Sequence, residues 1–139
     1  MQRENQFRAS IHKHLTPEKP HHEKMHNPFR RGTADDWYSG REGDIWVEYK
    51  WVSRLASIQA DRLLTPLQNH WHEQRHAEGR QVFMIVGFPQ GGIIIHPRDY
   101  SRRIPVPEVE ERLRKRKEIA AWIEFQTMGL DEDVDLQAE

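Results

Sequence analysis

The sequence contains no cysteine. Disulfides and thiolate metal sites are therefore excluded, any metal must be held by oxygen or imidazole, and a reducing compartment suits the chain. A long apolar run is also missing: the longest, Val82 to Phe88, is strand-sized, far short of the ~20 residues that cross a bilayer. With no signal-peptide pattern either, the expectation is a cytoplasmic protein without membrane association. Net charge is nearly absent, −1 over 139 residues. That balance conceals an asymmetry, because Asp131 to Glu139 hold five acids and no base, which leaves +4 on residues 1–130 before any of the nine histidines is protonated. Such a body suits phosphate contact without demanding it. At this length we expect one domain, residues 1–130, burying roughly two-thirds of its unfolded surface. Residues 131–139 read as a disordered acidic tail.

The informative stretch runs from Gly32 to Lys50. Its second half alternates as a half-buried strand does, with Ile45, Val47 and Tyr49 on one face and Trp46, Glu48 and Lys50 on the other. The turn-prone run Ser39-Gly40-Arg41-Glu42-Gly43 folds the preceding segment back and sets Asp35 across from Glu48. Two carboxylates facing each other destabilise an antiparallel pair, so the arrangement points to a divalent cation between them, with Lys50 at its border. Asp36 is the competing acid, but alternation sends it to the opposite face.

The flanking segments read as follows. Residues 2–15 form a helix on Phe7, Ile11 and Leu15, with Glu4 on the Phe7 side. From periodicity alone Glu4 is a solvated first-turn residue; aimed at the core boundary it needs a metal or Lys50. Residues 16–30, with Pro17, Pro20, Pro28, His21, His22 and His26, form a loop with a short strand near its end. The histidines there suit a transition metal or, more commonly, a surface loop that follows a nucleic-acid backbone beside Arg30 and Arg31. Trp51 to Arg62, including Arg54, is either a flap over the substrate or a connection. Thr65 as N-cap, Pro66 and Gln68 form a capping box that starts a helix with Leu67 and Trp71 as its apolar stripe and Gly79 at its end. Val82–Phe88 reads as a central strand, Ile93–Ile95 as its neighbour, and residues 107–127 as one long helix striped by Val109, Leu113, Ala120 and Ile123. The run Arg112-Leu113-Arg114-Lys115-Arg116-Lys117 on that helix is either a solvated face or a phosphate-tracking ridge.

One motif points elsewhere. His72-Glu73-Gln74-Arg75-His76 matches the H-E-x-x-H of zinc peptidases, in which two histidines one turn apart bind zinc and the glutamate acts as base. The helix looks half-solvated, ends three residues later at Gly79, and is followed by no obvious third ligand.

Glu4 on a first helix, Gly32-x-x-Asp35, Glu48-x-Lys50 and Thr65-Pro66-Leu67-Gln68 together resemble the PD-(D/E)XK nuclease superfamily, and within it the virus-type replication-repair nucleases, including compact phage-encoded members. Ala34 stands where that family usually has proline before the aspartate. The resemblance implies a restriction-endonuclease-like α/β core, a central mixed β-sheet flanked by helices in αβββαβ order, here with an extra C-terminal helix. It implies Mg²⁺ or Mn²⁺ on Asp35, Glu48 and the Tyr49 carbonyl, with Glu4 completing the shell, Lys50 orienting the attacking water, and Gln68 positioning the lysine or a phosphate. The implied activity is hydrolysis of branched or nicked DNA by a homodimer that resembles Holliday junction resolvases. Arg30, Arg31, Arg54, Arg112, Arg114, Lys115, Arg116 and Lys117 are the candidate DNA contacts. The other classes in view are a non-catalytic nucleic-acid-binding module or nuclease inhibitor and, more remotely, the zinc peptidase.

Overall fold

The most apolar run of the sequence lies at the centre of the structure. In a computed structural model, residues 2–17, 19–25 and 32–129 are described. The elements follow as α1 (Gln2–His12), β1 (His21–Lys24), β2 (Asp36–Gly40), β3 (Gly43–Trp51), β4 (Ile58–Gln59), α2 (Ala60–Leu63), α3 (Pro66–Ala77), β5 (Val82–Phe88), β6 (Gly91–Ile95), β7 (Arg103–Ile104), α4 (Val106–Arg112) and α5 (Arg116–Met128). Every residue of β5 is buried.

The main sheet has the order β1-β2-β3-β5-β6. Only β3 and β5 run parallel; the other neighbours are antiparallel, so the sheet is mixed. Alternation divides the core between the two faces. Phe83 and Ile85 of β5 join Ile45, Val47 and Tyr49 of β3 against Phe7 and Ile11 of α1 and Ile119 and Ile123 of α5. Met84, Val86 and Phe88 point the other way and pack with Ile58, Leu64, Tyr100, Ile104 and Val109. Because Glu48 is in register with Met84 and Lys50 with Val86, the polar positions of β3 lie on this second side. Phe7 seats α1 closely on the sheet: a Cβ on Gly87 would come within 2.6 Å of its ring, and one on Gly92 within 2.7 Å.

Several expectations need correcting. The first helix ends at His12 rather than residue 15, its last turn loosening into bonds from His14 N–H to the Ile11 carbonyl and from Leu15 N–H to the His12 carbonyl. Within residues 16–30 a strand lies at His21–Lys24, paired with β2, while the end of that segment, residues 26–30, where a short strand was expected, lies outside the described residues. Residues 52–62 pack as a connection, with Val52 and Leu55 against the core and β4 paired to β7. Leu67 is 52% exposed, so it is not on the inner stripe of α3. That helix turns Gln68, Trp71 and His72 inward, where they meet Glu48, Trp46 and Tyr100, with Arg75 over the Trp71 ring.

The long final helix is broken. Leu113 adopts an extended conformation, and the N–H and C=O of Arg114 both pair with Gly92, extending the edge of β6 between α4 and α5. Nothing in helix propensity marks this break, since Leu, Arg and Lys are all good helix formers. The basic run is therefore not one ridge. Arg112 donates to the Ile94 carbonyl at 2.7 Å and to Glu108 at 3.3 Å, while Arg116 donates to Ser10 Oγ at 2.8 Å and lies over the Phe7 ring. Arg30, Arg31 and the acidic tail lie outside the described residues.

Candidate active site

The Arg41–Glu42 turn pairs Gly40 with Gly43 and Asp36 with Val47, and the same register sets Asp35 level with Glu48. Asp35 Oδ2 accepts a hydrogen bond from the Tyr49 N–H at 3.2 Å, which ties the carboxylate to β3 where ladder pairing has ended. Even positions of β3 turn towards β5, as the bond from Trp46 N–H to the Gln81 carbonyl shows. The N–H and C=O of Tyr49 consequently both face the Asp35 side. Gly32 holds the approach to Asp35. Its φ is +93°, and a Cβ there would come within 2.5 Å of the Leu67 carbonyl oxygen, so the loop lies directly against the first turn of α3.

Glu48 is 2% exposed. Its Oε2 lies 3.8 Å from Lys50 Nζ and accepts from Gln68 Nε2 at 3.4 Å. Its Oε1 is buried without a hydrogen-bond partner. Gln68 makes both kinds of contact considered for it: its Oε1 accepts the Thr65 N–H at 2.9 Å, closing the capping box, and also accepts from Lys50 Nζ at 3.4 Å.

Burial pushes the Glu48 carboxyl well above the usual carboxylate range; Asp35 pushes it further, while Lys50 pulls the other way. Glu4, reaching from the first turn of α1, is raised by burial and then by Asp35, against Lys50 and Arg8. The four groups thus share one electrostatic site. A buried carboxylate oxygen with no donor beside two further acids is unfavourable alone, and a divalent cation would satisfy it. The donors are all oxygen, the set that hard cations such as Mg²⁺ or Mn²⁺ prefer. The residues present fit such an ion.

Arg8 was not legible from the apolar pattern. Lying 6% exposed, it donates through Nε to Asp36 Oδ1 at 2.8 Å, places Nη2 3.7 Å from Asp35 Oδ2, and sits over the Tyr49 ring at 4.9 Å. The available signal was a second stripe on α1, Glu4, Arg8 and His12 at four-residue spacing. Asp36 itself turns away from Glu48 into full burial, bonded to Arg8 and His22.

A tryptophan shelf adjoins the carboxylates. Trp37 and Trp46 pair across the hairpin about 7 Å along the strands from Asp35 and Glu48. Their rings are 6.0 Å apart, Trp71 is 5.4 Å from Trp46, and Arg75 lies over Trp71. All three tryptophans line an open cavity of about 1060 Å³ together with Asp44, Arg75 and Arg80.

The H-E-x-x-H residues do not converge. The helix is half-solvated, as expected, but His72 is its buried residue, and its Nδ1 is hydrogen-bonded to the Tyr100 hydroxyl at 2.9 Å. His76 is exposed and rests edge-on against His96. Among the described residues no third ligand joins them; the one metal-capable trio of His, Asp or Glu found there is His12, His22 and Asp36. Arg54 is exposed on the connection after β3.

No family model and no curated protein matches the sequence. Among solved structures, the chain is similar to Hjc, a Holliday junction resolvase from the archaeal hyperthermophile Archaeoglobus fulgidus. The TM-score is 0.55 at 12% identity, covering 88% of this chain and 99% of that one. At such identity the likeness speaks for the fold alone: a restriction-endonuclease-like core, a five-stranded mixed sheet flanked by helices, of the kind that the resolvase carries.

Proposed function

We propose that the chain is a divalent-metal-dependent DNA endonuclease that hydrolyses phosphodiester bonds in branched or nicked DNA, such as flaps and four-way junctions. The observation that carries this reading is the meeting of Asp35, Glu4 and the unpartnered Glu48 oxygen with Lys50, within a nuclease-type fold. Residues 1–130 are taken as one nuclease domain. The virus-type resemblance of the motifs favours a phage-encoded enzyme of replication, recombination or repair, acting in the host cytoplasm. Among the described residues no helix is long and apolar enough to cross a membrane.

Asp35, Glu48 and the Tyr49 carbonyl would hold Mg²⁺ or Mn²⁺, with Glu4 completing the set. When bound, the ion polarises the scissile phosphate and lowers the pKa of a water at neutral pH. Lys50, held by Gln68 Oε1, orients the attacking water through its ammonium protons and stabilises the charge that develops on the phosphate oxygens. Gln68 fixes the lysine and, through Nε2, Glu48. Arg8 holds the backbone end that presents Asp35 by binding both neighbouring acids.

Arg54, Arg112, Arg114, Lys115, Arg116 and Lys117 would follow the DNA backbone, and Arg30 and Arg31 belong to the same proposed set. The tryptophan shelf gives unpaired bases a stacking surface beside the carboxylates, which favours DNA with single-stranded arms, such as flaps, over uniform duplex. Two strands of a junction need two sites, so a homodimer is proposed. Scission of labelled duplex, single-stranded, flap and four-way-junction DNA, in Mg²⁺ against EDTA, tests the reading. EDTA-sensitive cutting supports it, and intact DNA in all four cases contradicts it.

A further inference from the structure

Away from the carboxylate site, three side chains of metal-ligating type meet: His12 at the end of α1, His22 in β1 and Asp36 at the start of β2. One ligand atom of each lies within 4.8 Å of the other two. Atoms at the corners of a triangle with 4.8 Å sides stand about 2.8 Å from its centre, so shifts of less than about 1 Å bring each to zinc-ligand distance.

The chemistry of the set differs from that of the Asp35–Glu48 pair. Two imidazoles and one carboxylate suit Zn²⁺ or Co²⁺, whereas an all-oxygen site suits Mg²⁺. Asp36 divides its oxygens in a way that fits a ligand: Oδ1 accepts from Arg8 Nε at 2.8 Å, and Oδ2 accepts from His22 Nε2 at 2.5 Å. Oδ2 can pass to a metal while Arg8 stays on Oδ1, the outer hydrogen bond that orients a metal-binding carboxylate. His12 and His22 have ring centres 4.5 Å apart. His12 Nε2 is hydrogen-bonded to the Tyr38 hydroxyl at 2.7 Å, and Tyr38 keeps a second partner in the Tyr49 hydroxyl at 2.6 Å. Drawing His12 to a metal therefore leaves the Tyr38 hydroxyl its bond to Tyr49. The His22 side chain is 28% exposed, which leaves a path of entry.

We propose that His12, His22 and Asp36 bind one transition-metal dication, with zinc as the natural occupant and a water in the fourth position. The site joins the end of α1 to the β1–β2 pair. Since Glu4, Arg8 and His12 share one side of α1, fixing His12 also fixes the helix that presents Glu4 to the other site. The proposal does not depend on the nuclease reading.

The test uses the full chain stripped with EDTA and titrated calorimetrically with ZnCl₂, and with CoCl₂ followed by visible absorption. Wild type is expected to bind one equivalent of either metal at this site, beyond any held by the Asp35–Glu48 carboxylates, to give the intense visible bands of a low-coordinate Co²⁺ site, and to melt several degrees higher with zinc. His22→Ala removes a half-exposed ligand from a surface strand and is expected to lose at least tenfold in affinity together with the zinc-dependent melting shift. His12→Gln should do the same. His76→Ala, which removes a surface imidazole of the H-E-x-x-H segment, should bind like wild type. Failure of wild type to take up an equivalent of zinc, or zinc binding by His22→Ala equal to that of wild type, overturns the proposal.

Discussion

Asp35 and Asp36 are neighbours in the chain, yet their carboxylates enter different networks. Asp35 accepts the Tyr49 N–H at 3.2 Å and keeps a side chain 27% exposed, whereas Asp36 is 0% exposed and bonded to Arg8 and His22. Substitutions at the two positions should therefore fail differently. Asp35→Asn is expected to lower metal-dependent cleavage about 100-fold or more at near-normal stability. Asp36→Asn weakens the partner of a buried guanidinium and should cost about 3 kcal/mol in urea unfolding. A stable but inactive Asp36→Asn, with Asp35→Asn active, would move the metal ligand by one residue.

Glu48 makes metal-free stability depend on pH. Its pKa is raised in the folded protein, so the folded state retains a proton that the unfolded chain has released. Stability is then greatest below the unfolded pKa, about 4.3, and falls as pH rises towards the folded pKa. Glu48→Gln should flatten this slope and stabilise the protein in EDTA at pH 8 by roughly 1–3 kcal/mol. Urea melts at pH 5 and pH 8 check it; equal slopes for the two proteins would contradict the assignment of the effect to Glu48.

These two acids were legible because a hairpin register follows from turn chemistry and alternation. Val47, Glu48 and Tyr49 could be assigned to faces by counting, and Thr65-Pro66-Leu67-Gln68 announced its own helix start. What escaped depended on distant partners. Arg8 is buried because Asp36 lies 28 residues away, and His72 because Tyr100 does. The break after Arg112 exists because Gly92 offers a backbone edge to Arg114. Leu67 misled because hydrophobicity marked the wrong side of α3, whose inner face carries the glutamine that reaches Lys50 and Glu48.

Gln68 can be separated into its two roles. Gln68→Glu keeps an acceptor for the Thr65 N–H and hence the capping box, but loses the donor to Glu48 and adds a negative charge beside it. Cleavage should fall at least tenfold at little cost to thermal stability, whereas Gln68→Ala should lose activity and about 1 kcal/mol of stability. Wild-type cleavage by Gln68→Glu would reduce the residue to a helix cap.

The tryptophan shelf predicts selective loss of binding. Trp37→Ala should weaken the affinity for flap or single-stranded DNA by about 1–3 kcal/mol, the worth of one stacked base, while affecting duplex binding little. Fluorescence anisotropy in Ca²⁺, which should support binding without efficient cleavage, separates the two substrates. Equal losses on both would assign the ring to structure.

The central claim is that Lys50 acts on a phosphodiester at a metal site formed with Asp35 and Glu48, and the direct measurement compares wild type with Lys50→Ala on labelled four-way-junction and flap DNA in Mg²⁺. Lys50 Nζ makes one 3.4 Å contact to Gln68 and one 3.8 Å ion pair to Glu48, and its side chain is 22% exposed. Its removal should therefore leave the fold intact, as circular dichroism would verify. The account predicts EDTA-sensitive cutting by wild type and a loss of about 100-fold or more in the variant. Cutting at the wild-type rate by a folded Lys50→Ala protein would contradict it.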